Sequence, residues 1–152
     1  MNLPERLPIE RVEDYHTHYL GRTADGRLFW AYHTFVFDKP YSSLEPGENW
    51  QQFRKEYALI HTFSSQGHYL ATTAWYAGLT ADVDQRQMEA KIEGWMAALG
   101  EVVFEDIAVA LFQTQIDGIT FGLVVDEEHE LVSLEPSSTI SFDEPWNGEY
   151  FT

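Results

Sequence analysis

Cysteine is absent from this sequence of 152 residues. Without cysteine the chain can form no disulfide, no thiolate metal site, no iron–sulfur cluster and no cysteine nucleophile. The sequence also lacks any apolar run approaching the roughly 20 residues of a transmembrane helix, and its first residues lack the apolar stretch of a signal peptide. We therefore expect a cytoplasmic protein that does not associate with membranes.

Lysine and arginine are absent from the whole chain after Lys91, a part that contains 13 acidic residues. The first 91 residues hold all nine bases and 12 acids, so the net charge is −3 before this boundary, −13 after it and −16 overall. The electric field of this negative charge repels nucleic acids and anionic membranes and attracts cationic proteins. The charge distribution therefore indicates a basic protein partner and no nucleic-acid partner.

Recognised catalytic motifs are also missing. The chain has no Gly-x-Ser-x-Gly nucleophile motif, no P-loop, no Gly-x-Gly-x-x-Gly fingerprint and no His-Glu-x-x-His sequence. These absences disfavour nucleotide-dependent enzymes and zinc peptidases. We assign no catalytic residue and favour a protein without enzymatic activity.

Apolar residues make up 44% of the chain and aromatic residues 15%, enough for one core. The length matches one domain, because single domains cluster at roughly 100 to 150 residues. We expect a single domain over residues 1–152, with residues 1–14 as an extended N-terminal arm. Three pairs of β-rich segments flank the turn dipeptides Asp25-Gly26, Gln66-Gly67 and Asp117-Gly118 and predict three hairpins. The segments are residues 15–22 and 27–37, 57–63 and 68–77, and 107–115 and 119–125, and residues 130–134 are expected to add an edge strand.

One amphipathic helix is expected over about residues 83–99. Five apolar residues recur there at helical spacing and form one stripe: Met88, Ile92, Trp95, Met96 and Leu99. Asp82 is positioned to cap the first turn, and Gly100 to end the helix. The predicted fold class is α+β, with a mainly antiparallel sheet of six or seven strands built from hairpins and the helix packed on one face.

The segment 27–37 is apolar on both faces, although an antiparallel sheet normally has one polar face. Either loops and terminal arms cover the second face, or a second subunit does. A homodimer is therefore one alternative for the assembly.

Three histidines form a candidate metal site. A two-residue loop at Asp25-Gly26 would place His18 opposite His33, with His16 on the same face as His18, so that three imidazoles could hold zinc or another divalent transition metal. A longer loop would shift the register and separate His33 from the other two. The alternative is that all three are half-buried or surface histidines of a sheet. A metal-binding protein or metal-dependent hydrolase, in which the metal activates water, is thus the second functional hypothesis.

Candidate partner-binding residues lie in the part of the chain that lacks bases. We expect exposed carboxylates there to contact a basic protein, in the manner of immunity or inhibitor proteins, and aromatic side chains of the C-terminal tail to anchor it. The carboxylates are Asp126, Glu127, Glu128, Glu130, Asp143, Glu144 and Glu149, and the aromatic residues are Trp146 and Tyr150. The alternative is that the charge serves solubility and the tail aromatics cover the sheet.

Four segments are rich in turns and aromatic strand positions: PERLPI at 4–9, GRTADGRLFW at 21–30, WYAG at 75–78 and PWNGEY at 145–150. These segments resemble those of a group of small bacterial proteins of unknown function, some of which are labelled formate hydrogenlyase regulatory proteins. The resemblance covers nearly the whole chain and includes no catalytic signature. It implies a bacterial origin and a compact single domain.

Overall fold

A computed structural model describes residues 1–152 and contains eleven strands and one α-helix. In chain order these are β1 (Leu7–Ile9), β2 (Tyr19–Thr23), β3 (Leu28–Phe37), β4 (Arg54–Phe63), β5 (Tyr69–Leu79), α1 (Gln85–Leu99), β6 (Val102–Phe104), β7 (Ile107–Val109), β8 (Gln113–Ile116), β9 (Ile119–Asp126), β10 (Leu131–Glu135) and β11 (Ser141–Phe142). Two short 3-10 turns, Tyr41–Ser43 and Trp50–Gln52, lie between β3 and β4. The predicted α+β class with antiparallel strands and one helix is confirmed.

The strands form three sheets instead of the single sheet that we expected. The largest has five strands in the order β5-β4-β3-β2-β6, the second has four in the order β11-β10-β9-β8, and the third pairs β1 with β7. All pairings are antiparallel. The three predicted turns do connect hairpins, since β2 pairs with β3, β4 with β5, and β8 with β9.

The predicted third hairpin differs from the structure in its first strand. The segment that we expected to form one strand is divided into β7, which pairs with β1, and β8, which pairs with β9. The predicted strand at residues 130–134 is β10, and it is internal because β11 pairs with its other side. The expected N-terminal arm contains a paired strand, β1.

Helix α1 starts two residues later than predicted, and its capping residue is different. Asp84 is the N-cap, and its Oδ1 accepts a hydrogen bond from the backbone N–H of Arg86 at 2.9 Å. Asp82 lies in the preceding turn, where its own N–H donates to the carbonyl of Leu79. At the other end Gly100 is the C-cap with a φ of 84°, a conformation that glycine adopts at little cost.

Both faces of the five-stranded sheet are covered within one chain. Trp30 and Tyr32 of β3 point into the larger of two core clusters, which includes residues from all three sheets. Phe29 and Ala31 point the opposite way, into a smaller cluster with Ile92 of α1. The helix therefore accounts for the apolar pattern on both faces of β3, and this pattern does not require a second subunit.

Helix α1 is not long and apolar enough to cross a membrane.

Candidate functional site

The hairpin of β2 and β3 has a different register from the one that would bring the three histidines together. Tyr19 pairs with Ala31, and Thr23 donates its N–H to the carbonyl of Arg27, so the loop has three residues, 24–26. The expected pairing of His18 with His33 is therefore wrong by one position. The observed register would place His18 opposite Tyr32, and His33 pairs with Ala58 of β4 on the other side of β3.

His16 and His18 precede β2 and lie in the loop 12–18. The ring of Tyr15 lies between the rings of His16 and His33. Its centroid is 3.9 Å from that of His16 and 4.7 Å from that of His33. The ring of His18 packs against Tyr19, at 4.6 Å. No three histidine, aspartate or glutamate side chains converge in a geometry that could hold a metal ion. The register and the intervening tyrosine thus leave the predicted ligand set of His16, His18 and His33 unassembled.

Asp14 fixes the conformation of the loop 12–18. Its Oδ1 accepts hydrogen bonds from the backbone N–H groups of His16 and Thr17, at 2.9 and 3.0 Å. Its Oδ2 accepts from the hydroxyl of Tyr150 at 3.0 Å, and that hydroxyl shares a hydrogen bond of 2.6 Å with Thr17. Burial raises the pKa of Tyr150 to about 12, so its hydroxyl stays protonated at neutral pH. The C-terminal tail therefore locks this loop in place.

A cavity of about 330 Å³ lies between this loop, β2, β3 and α1. Its lining combines acidic, aromatic and imidazole side chains and contains no lysine or arginine. The lining residues are Glu13, Asp14, Tyr15, His18, Tyr19, His33, Glu89 and Ile92. The guanidinium of Arg11 donates to the backbone carbonyl of the lining residue His18 at 2.8 Å, so a positive charge lies directly beside the acidic lining.

The titratable groups of the cavity are affected by burial. Burial lowers the pKa of His33 below its usual value, so the ring is neutral at neutral pH. Burial raises the pKa of Tyr15, and it also raises the pKa of Tyr19, to which the carboxylates of Glu93 and Glu89 contribute. At neutral pH the rings of His33, Tyr15 and Tyr19 are therefore uncharged.

Almost all acidic residues after Lys91 lack a lysine or arginine partner. The protein has five ion pairs between a lysine or arginine and a carboxylate, and four of them join residues that precede Lys91. The fifth ion pair joins the two parts of the chain, since Arg22 pairs with Glu105 at 3.3 Å. Asp126 is bonded to His129 within its own turn, at 2.8 Å. The first part of the chain therefore neutralises one of the 13 later carboxylates.

Five of these carboxylates form an acidic patch at one end of the four-stranded sheet. The register of β10 and β11 pairs Val132 with Phe142, and Glu130 and Glu144 each lie two residues beyond this pair. The N-terminal residues lie against the same end: Asn2 donates its N–H to Glu144 at 3.5 Å, and Met1 and Leu3 line a shallow groove with Val125, Glu127 and Glu130. We define the acidic patch as Glu127, Glu128, Glu130, Asp143 and Glu144, all of which are exposed.

The two predicted aromatic anchors are not free surface residues. Trp146 and Tyr150 are half-buried and pack against the larger core cluster. Tyr150 is further held by Asp14 and Thr17, as described above. Glu149 is exposed but lies beside Glu10 in a separate groove. These three residues therefore lie outside the acidic patch, because the tail folds back onto the core.

The sequence reasoning missed the cavity and most of its lining. Glu89 was visible only as a polar position on the helix, and Tyr15 and Tyr19 only as strand-forming residues. A usable signal was the acidic pair Glu13 and Asp14 directly before an aromatic segment. What the sequence did not indicate was that α1 would place Glu89 beside that segment.

Comparison of the chain with models of known protein families, with curated proteins and with solved structures gives no match. A function for this protein therefore has to be argued from its own residues.

Proposed function

We propose that this protein is a non-enzymatic binding protein whose acidic surface engages a basic protein, in the manner of immunity or inhibitor proteins. The observation that carries the proposal is the ion-pair pattern: of 13 carboxylates after Lys91, only Glu105 has a lysine or arginine partner. The opposite arrangement, with bases of the first part folded over the later acids, would have cancelled this charge.

Unpaired carboxylates act on a partner before contact is made. Complementary charge increases association rates by roughly ten- to a thousandfold at low ionic strength. The same field opposes the approach of nucleic acids and anionic membranes, which we exclude as partners. The proposal keeps the cytoplasmic location that the sequence led us to expect.

The acidic patch combines charge with apolar surface. Met1 and Leu3 are 43% and 39% exposed, and they lie in the groove beside Glu127 and Glu130. Apolar side chains surrounded by charged ones are typical of protein interfaces, which have an apolar centre and a polar rim. We assign the anchoring role to these N-terminal side chains, since Trp146 and Tyr150 are engaged in the core.

The test compares two variants of equal net charge in affinity capture from a lysate of the source cell. The first carries Glu127→Gln, Glu128→Gln and Glu130→Gln in the acidic patch. The second carries Glu45→Gln, Asp82→Asn and Glu93→Gln, three exposed acids outside it. Captured proteins are identified by mass spectrometry, and the affinity of the best candidate is then measured with purified components.

We expect one basic protein to bind the wild type and the second variant, and to be lost from the first. Binding should weaken steeply with added salt, because exposed charges are screened over about 10 Å at 0.1 M ionic strength. Equal loss of binding in both variants would show that binding depends on net charge alone and not on the acidic patch. Capture of no basic protein at low ionic strength would contradict the proposal.

A further inference from the structure

Strand β5 leaves one edge of the five-stranded sheet open over its whole length. The sheet order places it at the end, and its 11 residues include no charged residue and no proline. Natural proteins shorten, charge or cover such edges, because free backbone groups there pair with other chains. The other edge strands are short: β1, β6 and β7 have three residues each, β8 has four, and β11 has two and is bridged by Phe151. Strand β5 is therefore the one long edge of the fold that lacks this protection.

The pairing of β5 with β4 determines which backbone groups of β5 point outward. Thr80 donates its N–H to the carbonyl of Arg54, so every second residue of β4 from Arg54 onward directs its backbone groups toward β5. The register then makes Ile60 and Thr73 a hydrogen-bonded pair. The residues that alternate with Thr73 direct their N–H and C=O groups away from the sheet, and these are Thr72, Ala74 and Tyr76. No backbone hydrogen bond outside the pairing with β4 involves these three residues.

Two large apolar side chains of β5 lie at equal distances on either side of Thr73. Leu70 is 52% exposed and Tyr76 is 45% exposed, and each is three residues from Thr73 in the sequence. A two-fold axis beside Thr73 would bring Leu70 of one copy opposite Tyr76 of the other, and Tyr76 opposite Leu70. The edge is therefore complementary to itself, as the interface of a two-fold dimer has to be.

The distribution of charge indicates a second copy of the chain as the occupant of this edge. The net charge is −16, so most contacts between two copies bring like charges together. Strand β5 has no charged residue and adds no such repulsion. A basic partner would find no carboxylate on this strand to pair with, whereas a second β5 finds backbone groups and apolar side chains that match its own.

We propose that two copies of this chain form a dimer through β5, paired antiparallel about a two-fold axis at Thr73, so that their five-stranded sheets become one continuous sheet. Thr72 of one copy then exchanges backbone hydrogen bonds with Ala74 of the other, and the two Thr73 residues face each other as a pair without backbone bonds. This surface is a strand edge. It differs from the sheet face that suggested a homodimer in the sequence, which α1 and the larger core cover.

The absence of cysteine allows a direct test, because a single introduced cysteine can only form a disulfide with a second copy. Opposed residues without backbone bonds have Cα atoms about 4.5 Å apart, within the roughly 4.4 to 6.8 Å that a disulfide spans. We expect Thr73→Cys to become linked in most molecules during mild oxidation with oxidised glutathione, as measured by non-reducing gel electrophoresis. Gln87→Cys, at an exposed position of α1, is the control and should stay largely unlinked.

A second pair of variants tests the apolar contact without a cysteine. Leu70→Ser combined with Tyr76→Ser should raise the dissociation constant of the dimer at least about tenfold, because each change acts twice in a two-fold dimer. The matched control combines Val103→Ser with Tyr41→Ser, two exposed positions outside β5, and should leave the constant unchanged. Sedimentation over a concentration series measures the constant, and circular dichroism confirms that each variant is folded.

Added salt distinguishes this contact from binding at the acidic patch. Screening of like charges should strengthen the pairing of two copies, whereas it weakens the capture of a basic protein. A wild type that is monomeric at all concentrations, equal linking of Thr73→Cys and Gln87→Cys, a dimer that weakens with salt, or larger open assemblies would overturn the proposal. None of these results depends on capture of a basic protein by the acidic patch.

Discussion

Asp14 is the residue through which the N-terminal part of the chain contacts the C-terminal tail. Its carboxylate accepts three hydrogen bonds, two from the loop 12–18 and one from Tyr150. Hydrogen bonds to a charged acceptor contribute more to stability than those between neutral groups, roughly 1.5 to 3 kcal/mol. A single hydroxyl group thus connects residues 136 positions apart in the sequence.

Tyr150→Phe should therefore lower the free energy of unfolding by about 1 to 3 kcal/mol, because it leaves Asp14 and Thr17 without this partner. Urea denaturation, monitored by tryptophan fluorescence, measures the change in the free energy of unfolding. Tyr41→Phe is the matched control, since the Tyr41 side chain is 62% exposed and makes no hydrogen bond. Equal stability of the two variants would show that the hydroxyl of Tyr150 contributes nothing.

His61 is a fully buried histidine within the larger core. Its Nδ1 shares a hydrogen bond of 2.6 Å with Thr72, and its Nε2 shares one of 2.8 Å with Tyr32. Burial lowers the pKa of His61 to about 3, while in the unfolded chain it lies near 6.5. Between these values the unfolded chain takes up a proton that the folded protein does not bind, so stability is lost as the pH falls.

We expect the free energy of unfolding to decrease from pH 6.5 toward pH 3 with a contribution from His61 that approaches about 1.4 kcal/mol per pH unit. His61→Gln removes this contribution, so its stability should change less between pH 7 and about pH 5.5, above the range in which most carboxylates titrate. Urea titrations at several pH values give both slopes. Parallel slopes in wild type and variant would refute the assignment, even if the variant is less stable at every pH.

At the scale of single elements, helix α1 offers a test of which aspartate caps it. Asp84→Ala should lower the free energy of unfolding by about 1 kcal/mol, the usual cost of losing an N-cap side chain. Asp82→Ala should have little effect, because Asp82 precedes the helix and its side chain makes no hydrogen bond. Thermal unfolding of both variants decides between the two residues. A larger loss for Asp82→Ala would contradict the capping arrangement.

Strand β5 is the second element with a testable property. It forms one edge of the five-stranded sheet and, over its 11 residues, contains no charged residue and no proline. Exposed edges of this kind pair with other chains, because their outer N–H and C=O groups lack partners. If β5 paired antiparallel with β5 of a second copy, no like charges would lie opposite each other, because β5 has no charged residue. Most other surfaces of this acidic chain would repel a second copy.

If two copies of the chain pair through β5 as proposed above, Thr73→Lys should shift the pair toward monomer, because two added lysines would face each other near the two-fold axis. Light scattering over a dilution series measures the mass. Gln87→Lys adds the same charge to an exposed position of α1 and should leave the mass unchanged. A wild type that is monomeric at all concentrations would refute this expectation.

The sequence predicted those elements whose signals are local. The Asp-Gly and Gln-Gly turns, the apolar stripe of α1 and Gly100 each depend on a few neighbouring residues. Strands β1, β6 and β11 have two or three residues each, and β1 finds its partner β7 about 100 residues away, so no short window indicates them. The division of residues 107–116 into β7 and β8 has the same cause, since each half pairs with a different strand.

The candidate site was less predictable than the fold. Loops of two and three residues can both contain Asp-Gly, and the difference of one residue moved His33 away from His18. Trp146 and Tyr150 have the composition of binding anchors, but they fold back onto the core. The charge distribution after Lys91 was readable from the sequence, whereas the ion-pair pattern required the three-dimensional positions of Arg22 and the other bases.

At the scale of the whole molecule, the net charge of −16 should make stability depend on salt. Repulsion between the unpaired carboxylates opposes the folded state, and added ions screen it. We expect the melting temperature to rise between about 20 mM and about 300 mM NaCl, over which the screening length falls by a factor of about four. The variant with Glu127, Glu128 and Glu130 changed to glutamine should show a smaller rise. A melting temperature that falls with salt would mean that the five ion pairs outweigh the repulsion.

The pairing of β1 with β7 has a consequence for how the chain is made. Leu7 lies opposite Val109, Glu10 bonds to Gly148, and Asp14 bonds to Tyr150. The ribosome synthesises these partners about 100 to 140 residues later than residues 7–14, so the early segment emerges long before its partners exist. The nascent polypeptide can assemble its β2–β5 meander early, but the pairing of β1 must await β7, and the bonds of Glu10 and Asp14 must await Gly148 and Tyr150. Contacts of such long sequence separation are typical of slow folding.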